Sequence, residues 1–180
     1  MGTSFIDFLP RTCDYINITC KLQVNNLAAK NHNKTPSRRS GCPLNASVEM
    51  LGDRWSLLII RDMMLRGSKT FNEFLNCYER IATNILADRL KRLVGYGILS
   101  TEPDLADGRK LIYRLTQKGI DLAPVLTEMV LWAAAHEETE NQALVHEMQK
   151  DKAGFIERVK ARWAHSRLAD KKHLKPGFEP

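Results

Sequence analysis

Between residues 42 and 135 the apolar positions recur at regular steps, and on either side of that block the pattern loosens. Asn45 or Ala46 to Leu51 forms one short helical period, stopped by Gly52. Asp53 stands where a cap would open "RWSLLIIRDMMLRG", a helix that is apolar on nearly every side, closes at Gly67 and is therefore expected to be buried. Thr70 with Glu73 three residues on has the form of a capping box and starts a third helix with Phe71, Phe74 and Leu75 at helical spacing. Ile81, Ile85, Leu86, Leu90, Leu93 and Val94 follow at steps of three and four, predicting a fourth helix from Ile81 that packs on the third. At about 100° per residue these positions take one side and leave Thr83, Asn84, Ala87, Asp88, Lys91 and Arg92 on the other.

The period then changes. "GILSTEPDL" and "KLIYRLT" read as strands, the second with Leu111, Tyr113 and Leu115 alternating against polar positions, and Asp107-Gly108 between them signals a tight hairpin turn. A long helix begins near Ile120 and carries Leu122, Val125, Leu126, Met129, Val130 and Trp132. Beyond it Phe155, Ile156, Val159 and Trp163 predict one more amphipathic helix, set among Lys152, Arg158, Lys160 and Arg162, for which packing is favoured over a DNA-backbone contact. The expected class is mainly α with a small β-hairpin: helix, turn, helix and hairpin make a winged helix-turn-helix, with a long C-terminal helix and a further helix after it.

Composition sets the scale. A chain of 180 residues, 43% hydrophobic, builds one core with appendages. The expected division is a disordered polar tail over 1–40, containing Arg38 and Arg39, a winged-helix domain over 41–136, and a basic helical extension over 137–180. The net charge of +6 and pI near 9.2 favour a polyanionic partner. No apolar run reaches the roughly 18 residues of a membrane span, and the start lacks a signal-peptide pattern, so a cytoplasmic protein without a membrane partner is expected. Cys13, Cys20, Cys42 and Cys77 make no CxxC pair and lie far from the five histidines, so no metal or cofactor is expected and the thiols are read as reduced. The middle block supplies no nucleophile with a base, paired carboxylates or phosphate-cradling loop, which argues against an enzyme.

The polar side of the fourth helix has short side chains at its start and cations toward its end. A helix inserted in a major groove needs both: hydrogen-bonding groups at base edges, then charges for phosphates. A solvated helix covering a core has the same pattern, and a winged helix can also serve protein contact without an operator; steep salt dependence of DNA binding separates these readings. The tip residues Arg109 and Lys110 would meet phosphates or a minor groove if the hairpin flanks the inserted helix.

Cys42-Pro43, "LGDRW" with Gly52 and Trp55, "FNE" at Phe71, the L..RL..L ending of the fourth helix, and "YRLTQKG" before a long helix with Trp132 occur in this order. In these features residues 42 to 135 resemble the HxlR family of bacterial winged-helix transcription regulators, relatives of the MarR type. The resemblance implies a homodimer on a two-fold related operator, with helix 81–94 in the major groove and the wing at Gly108 beside it. On that footing Thr83, Asn84 and Ala87 are candidates for base edges, Lys69, Thr70, Lys91 and Arg92 for phosphates, and Gly108, Arg109 and Lys110 for the wing. Arg89, whose angle puts it between Ile85 and Leu93, is read as an ion pair or snorkelling side chain. Ala82 replaces the Ser of many relatives, removing a side-chain cap. The stripe with Val125, Leu126, Met129 and Trp132 looks too broad for one small domain and is assigned to a partner subunit. Because some relatives sense oxidants or electrophiles at a cysteine here, Cys42 is a candidate sensor thiol, with a structural role equally open. The implied activity is regulation of transcription as a repressor, with an oxidant or small-molecule effector left unidentified.

Overall fold

The computed structural model describes residues 40–104, 107–108 and 110–173, apart from the side chains of 168–173. Residues 1–39, including Arg38 and Arg39, and the wing residue Arg109 lie outside the described residues.

The first helix, α1, spans Pro43–Leu51. It starts earlier than the apolar period suggests because Pro43 occupies the first turn, where its fixed φ is favourable and no amide hydrogen is needed. Gly52 ends it: its N–H donates to Val48 O at 2.7 Å, and a Cβ at this position would run into the same carbonyl. Asp53 then caps α2 (Arg54–Arg61), one carboxylate oxygen accepting from the amides of Trp55 and Ser56 at 3.0 Å each. The expected single helix up to Gly67 is in fact α2 followed by a π turn, Asp62–Arg66, closed by Gly67 at φ 75°. Nor is it buried all round. Ser56, Ile59, Ile60 and Met64 are buried, whereas Leu57 and Leu58 are half-buried beside a groove that runs along the later helix α6.

Helices α3 (Phe71–Leu75) and α4 (Thr83–Gly95) complete the helix-turn-helix. Ile81 precedes α4 rather than opening it, because Ala82 adopts an extended conformation as the N-cap and has no side chain to accept from the first turn. Leu86, Leu90 and Leu93 are at most 1% exposed and share one core with Ile60, Phe74 and Ile98. Gly97, at φ 68°, turns the chain into β1.

Strands β1 (Leu99–Pro103) and β2 (Leu111–Leu115) pair antiparallel, from Leu99 opposite Leu115 to Pro103 opposite Leu111. The strand pairing ends at Pro103, beyond which the Asp104 amide still donates to Lys110 O at 2.9 Å. The Asp107-Gly108 turn therefore sits at the tip of a longer loop, with Lys110 N donating to Asp107 O at 2.8 Å. The alternation read for β2 is also altered: Leu111 is exposed and Ile112 is buried. Ile112 bridges to Thr70 and Tyr113 N donates to Lys69 O at 2.7 Å, so the segment before α3 acts as a short third strand.

Thr116 closes β2 and shows why "LTQKG" is spelled as it is. Its hydroxyl donates toward Gly97 O at 2.7 Å and accepts from Gly119 N at 3.2 Å, opening α5 (Gln117–Ile120). Gly119 lies against the Ile98 carbonyl, where a Cβ would collide. Helix α6 spans Ala123–His136. After it come two helices rather than the one expected, α7 (Gln142–Lys150) and α8 (Lys152–His173), divided at Asp151, whose carboxylate accepts from Gly154 N at 2.9 Å. Val145, Met148, Phe155 and Val159 are buried, Trp163 Nε1 donates to Leu115 O at 3.0 Å, and Arg162 donates to Met64 O at 2.7 Å. The last helix thus packs on its own chain.

Among the described residues one charged side chain sits inside this apolar frame. Asp62 is 3% exposed, and Arg61 donates both to it, at 2.8 Å, and to Glu79, at 2.6 Å. The Arg61 hydrogen bond holds the Glu79 carboxyl down at about 2. A depressed carboxylate contributes stability above its unfolded value of 4.5 and loses that contribution as pH falls toward 2. In chemical denaturation, Glu79→Gln should cost about 1–2 kcal/mol at neutral pH and flatten the decline of stability between about pH 5 and pH 2. Gly119→Ala should lower the unfolding free energy by about 1–3 kcal/mol in the same measurement, because its neighbour is a backbone carbonyl that cannot move aside.

Candidate nucleic-acid interface

The interface begins at the cap of α3. Thr70 Oγ1 accepts from Glu73 N at 3.3 Å, and Glu73 Oε2 accepts from Thr70 N at 2.9 Å and Lys69 N at 2.6 Å. Burial alone would raise the Glu73 carboxyl, but these donors outweigh it and hold it below the usual range. The Thr70 hydroxyl thereby accepts from the Glu73 amide and also hydrogen-bonds the Glu73 carboxylate. Lys69 is exposed, and its carbonyl is fastened to β2 through Tyr113 N. The start of α3 and the wing strand are therefore stitched together.

Along α4, Thr83, Asn84, Ala87, Asp88 and Lys91 are exposed, while Leu86, Leu90 and Leu93 fix the opposite face in the core. The exposed face is narrow at its start and carries one acid, Asp88, among its polar groups. Arg89 is turned inward: its Nε lies 3.3 Å from Asp53 and its Nη1 3.6 Å from Asp88, at a side-chain exposure of 20%. These are ion-pair distances without hydrogen-bond alignment, since the same two nitrogens are enclosed and lack a well-directed acceptor. Arg92, exposed as a residue, leans back toward α1, donating to Glu49 O at 3.3 Å with its guanidinium 6.0 Å from the Tyr96 ring. Gly108 and Lys110 are exposed at the wing, Lys110 within 3.6 Å of Asp107.

On α6, Val125, Met129 and Trp132 form an exposed apolar row at 48%, 47% and 66%. Leu126 is half-buried and, together with Met129, lines the groove against α2. The inner side of the broad stripe is thus covered by the chain's own groups, Ala123 and Thr127 being buried there. A second exposed pair, Leu44 and Val48 on α1, escaped the sequence reading; their spacing of four within a single helical turn was its only signal.

Cys42 is exposed at the head of α1, and Cys77 is half-buried. The ligand atoms of Asp62, Cys77 and Glu79 lie within 4.8 Å of one another, a geometry open to a cation, but the Arg61 guanidinium pairs with both carboxylates there and opposes a second positive charge. No helix among the described residues is long and apolar enough to cross a membrane.

Comparison with known proteins places residues 50–141 in the HxlR-like helix-turn-helix family. The HTH-type transcriptional regulator YodB of Bacillus subtilis (strain 168) is 37% identical over 93 residues, 51% of this chain and 82% of YodB. YdeP of the same organism, also described as an HTH-type transcriptional regulator, is 29% identical over 98 residues, 54% of this chain and 76% of YdeP. The crystal structure of PA1607, described as a proposed transcription factor, aligns at 34% identity with a TM-score of 0.53, covering 59% of this chain and 73% of PA1607. YodB itself has been solved reduced, diamide-treated and quinone-bound. The ordered motifs, the winged helix-turn-helix and these matches together establish that the chain belongs to the HxlR-like helix-turn-helix family of transcriptional regulators.

Proposed function

We propose that this regulator binds double-stranded DNA sequence-specifically as a homodimer on a two-fold related operator, and acts as a repressor in the cytoplasm. The observation that carries this reading is the division of α4, whose buried leucines leave Thr83, Asn84, Ala87 and Lys91 outward. Thr83, Asn84 and Ala87 are short enough for the helix backbone to approach base edges, Asn84 offering a donor and an acceptor to adenine and Ala87 a methyl to thymine. Lys69, Thr70 and Lys91 hold phosphates, with Gly108, Arg109 and Lys110 in the wing beside them. Arg92 joins them by releasing its contact to Glu49 O, since a single hydrogen bond to a carbonyl competes poorly with a phosphate. The functional division follows the same lines: winged helix over 41–136, an ancillary tail over 1–40, and an extension over 137–180 that braces the winged helix.

The row Val125, Met129 and Trp132, with Leu126 at its edge, forms the subunit contact, because aromatic and apolar groups so exposed on one helix face are what a symmetric interface buries. Cys42 responds to thiol modification, a reading supported by its exposure and by the diamide and quinone forms of YodB.

Gel-shift titration of the full chain against the DNA upstream of its own gene, at two salt concentrations, tests the operator reading. Saturable binding should weaken steeply with salt. Asn84→Ala should cost about 1–3 kcal/mol on the specific site only, and Lys91→Ala should weaken all sequences and reduce the salt slope by about 1. Equal loss on specific and random DNA after Asn84→Ala would remove it from base readout. In sedimentation equilibrium, Trp132→Glu should convert the dimer to monomer, and an oxidant effect on binding should vanish in Cys42→Ser.

A further inference from the structure

A cavity of about 300 Å³ lies between β2, the π turn and α8, with an apolar floor that includes Met63, Ile120, Val159 and Trp163. Its rim is cationic, with Lys69, Arg162 and Arg167. Arg162 spends one donor on Met64 O, and the Arg167 guanidinium rests 5.3 Å from the centroid of the Trp163 ring. Among the described residues neither guanidinium has a carboxylate partner. The neighbouring Arg114, by contrast, is paired with Glu102. Tyr113 adds a phenol to the wall; burial lifts it further above 10.0, so it remains a donor at neutral pH.

We infer that this cavity is a binding site for a small aromatic carboxylate, its ring on the Trp163 floor and its charge on Arg162 and Arg167. The size suits one or two fused rings, at the lower end of ligand pockets. A guanidinium with free donors matches a carboxylate through two parallel hydrogen bonds, and a planar ring above Trp163 uses a surface that an aliphatic anion would leave uncovered. Arg162, Trp163 and Arg167 fall outside the family block of 50–141, so this chain's extension supplies the two arginines and the aromatic floor while the family block supplies the opposite wall.

The cavity is also placed to regulate. Its walls include Ser68 and Lys69, which lead into the cap of α3, and Tyr113, whose N–H holds the Lys69 carbonyl. A carboxylate bound here adds negative charge beside Lys69 and draws that ammonium away from phosphate, so the occupied protein binds its operator more weakly. This consequence rests on the DNA-binding reading above, whereas occupancy of the cavity does not.

Isothermal titration calorimetry of the full chain with 1-naphthoate, and with the neutral 1-naphthamide as its uncharged match, tests the site. Saturable one-to-one binding of the acid is expected, with the amide about tenfold weaker or worse. Arg162→Gln and Arg167→Gln should each weaken the acid by about tenfold and leave the amide unchanged, with circular dichroism confirming the fold. Absence of saturable binding, equal affinity for acid and amide, or undiminished binding in both variants would overturn the proposal. Saturating naphthoate should also weaken the gel shift on upstream DNA. An unchanged shift beside measured naphthoate binding would overturn the regulatory half, while a protein that binds naphthoate but no DNA at all would instead sink the operator reading.

Discussion

Everything the protein presents outward depends on how α4 is anchored. Leu86, Leu90 and Leu93 are sealed against Ile60, Phe74 and Ile98, and each fully buried leucine contributes about 1.5–3 kcal/mol. Rotating the helix by one residue, about 100°, would bring charged Lys91 in one sense, or Arg89 and Arg92 in the other, toward that core, a cost far above what any exposed polar contact returns. The apolar row therefore fixes which residues face out. Asp53 adds a second constraint, since one carboxylate both caps α2 and lies 3.3 Å from Arg89 of α4, locking the relative turn of the two helices. At partial exposure that ion pair contributes orientation more than energy.

The C-terminal extension ties the winged helix at two distant points. Arg162 holds a carbonyl of the π turn and Trp163 holds one of β2, so α8 bridges the end of the first helical pair and the wing. Together with α7 it packs on the inner side of α6, while the apolar row Val125, Met129 and Trp132 stays outside. A broad apolar stripe that pointed wholly to a partner subunit is thus divided: one side belongs to the chain's own fold, and the other is free for a second copy.

What the sequence made legible was local. Asp53 and the Thr70–Glu73 pair announce their helix starts because a cap needs only residues two or three positions apart, and Gly52 and Gly67 mark helix ends where the backbone leaves no room for a side chain or turns left-handed. The face of α4 followed from its period for the same reason. Contacts between segments far apart in the chain were not legible. Nothing near Ile112 indicates that Thr70 will pair beside it and bury it, and nothing near Arg92 shows that Glu49 O will draw it off the outward face. The π turn escaped notice because Asp62 is paired with Arg61, whose second partner, Glu79, is reached only when the chain folds back after α3. Asp151 reads as one polar residue among many, yet it splits the extension into two helices.

The claim on which the account turns is that the outward face of α4 meets the bases. Placing a small diazirine-bearing side chain at Ala87, with the same group at exposed Glu138 as a comparison, and irradiating the full chain on its upstream DNA would test this directly. The account predicts covalent attachment to DNA from position 87 and none from position 138. A protein that still shifts this DNA but attaches from neither position, or only from position 138, would contradict it.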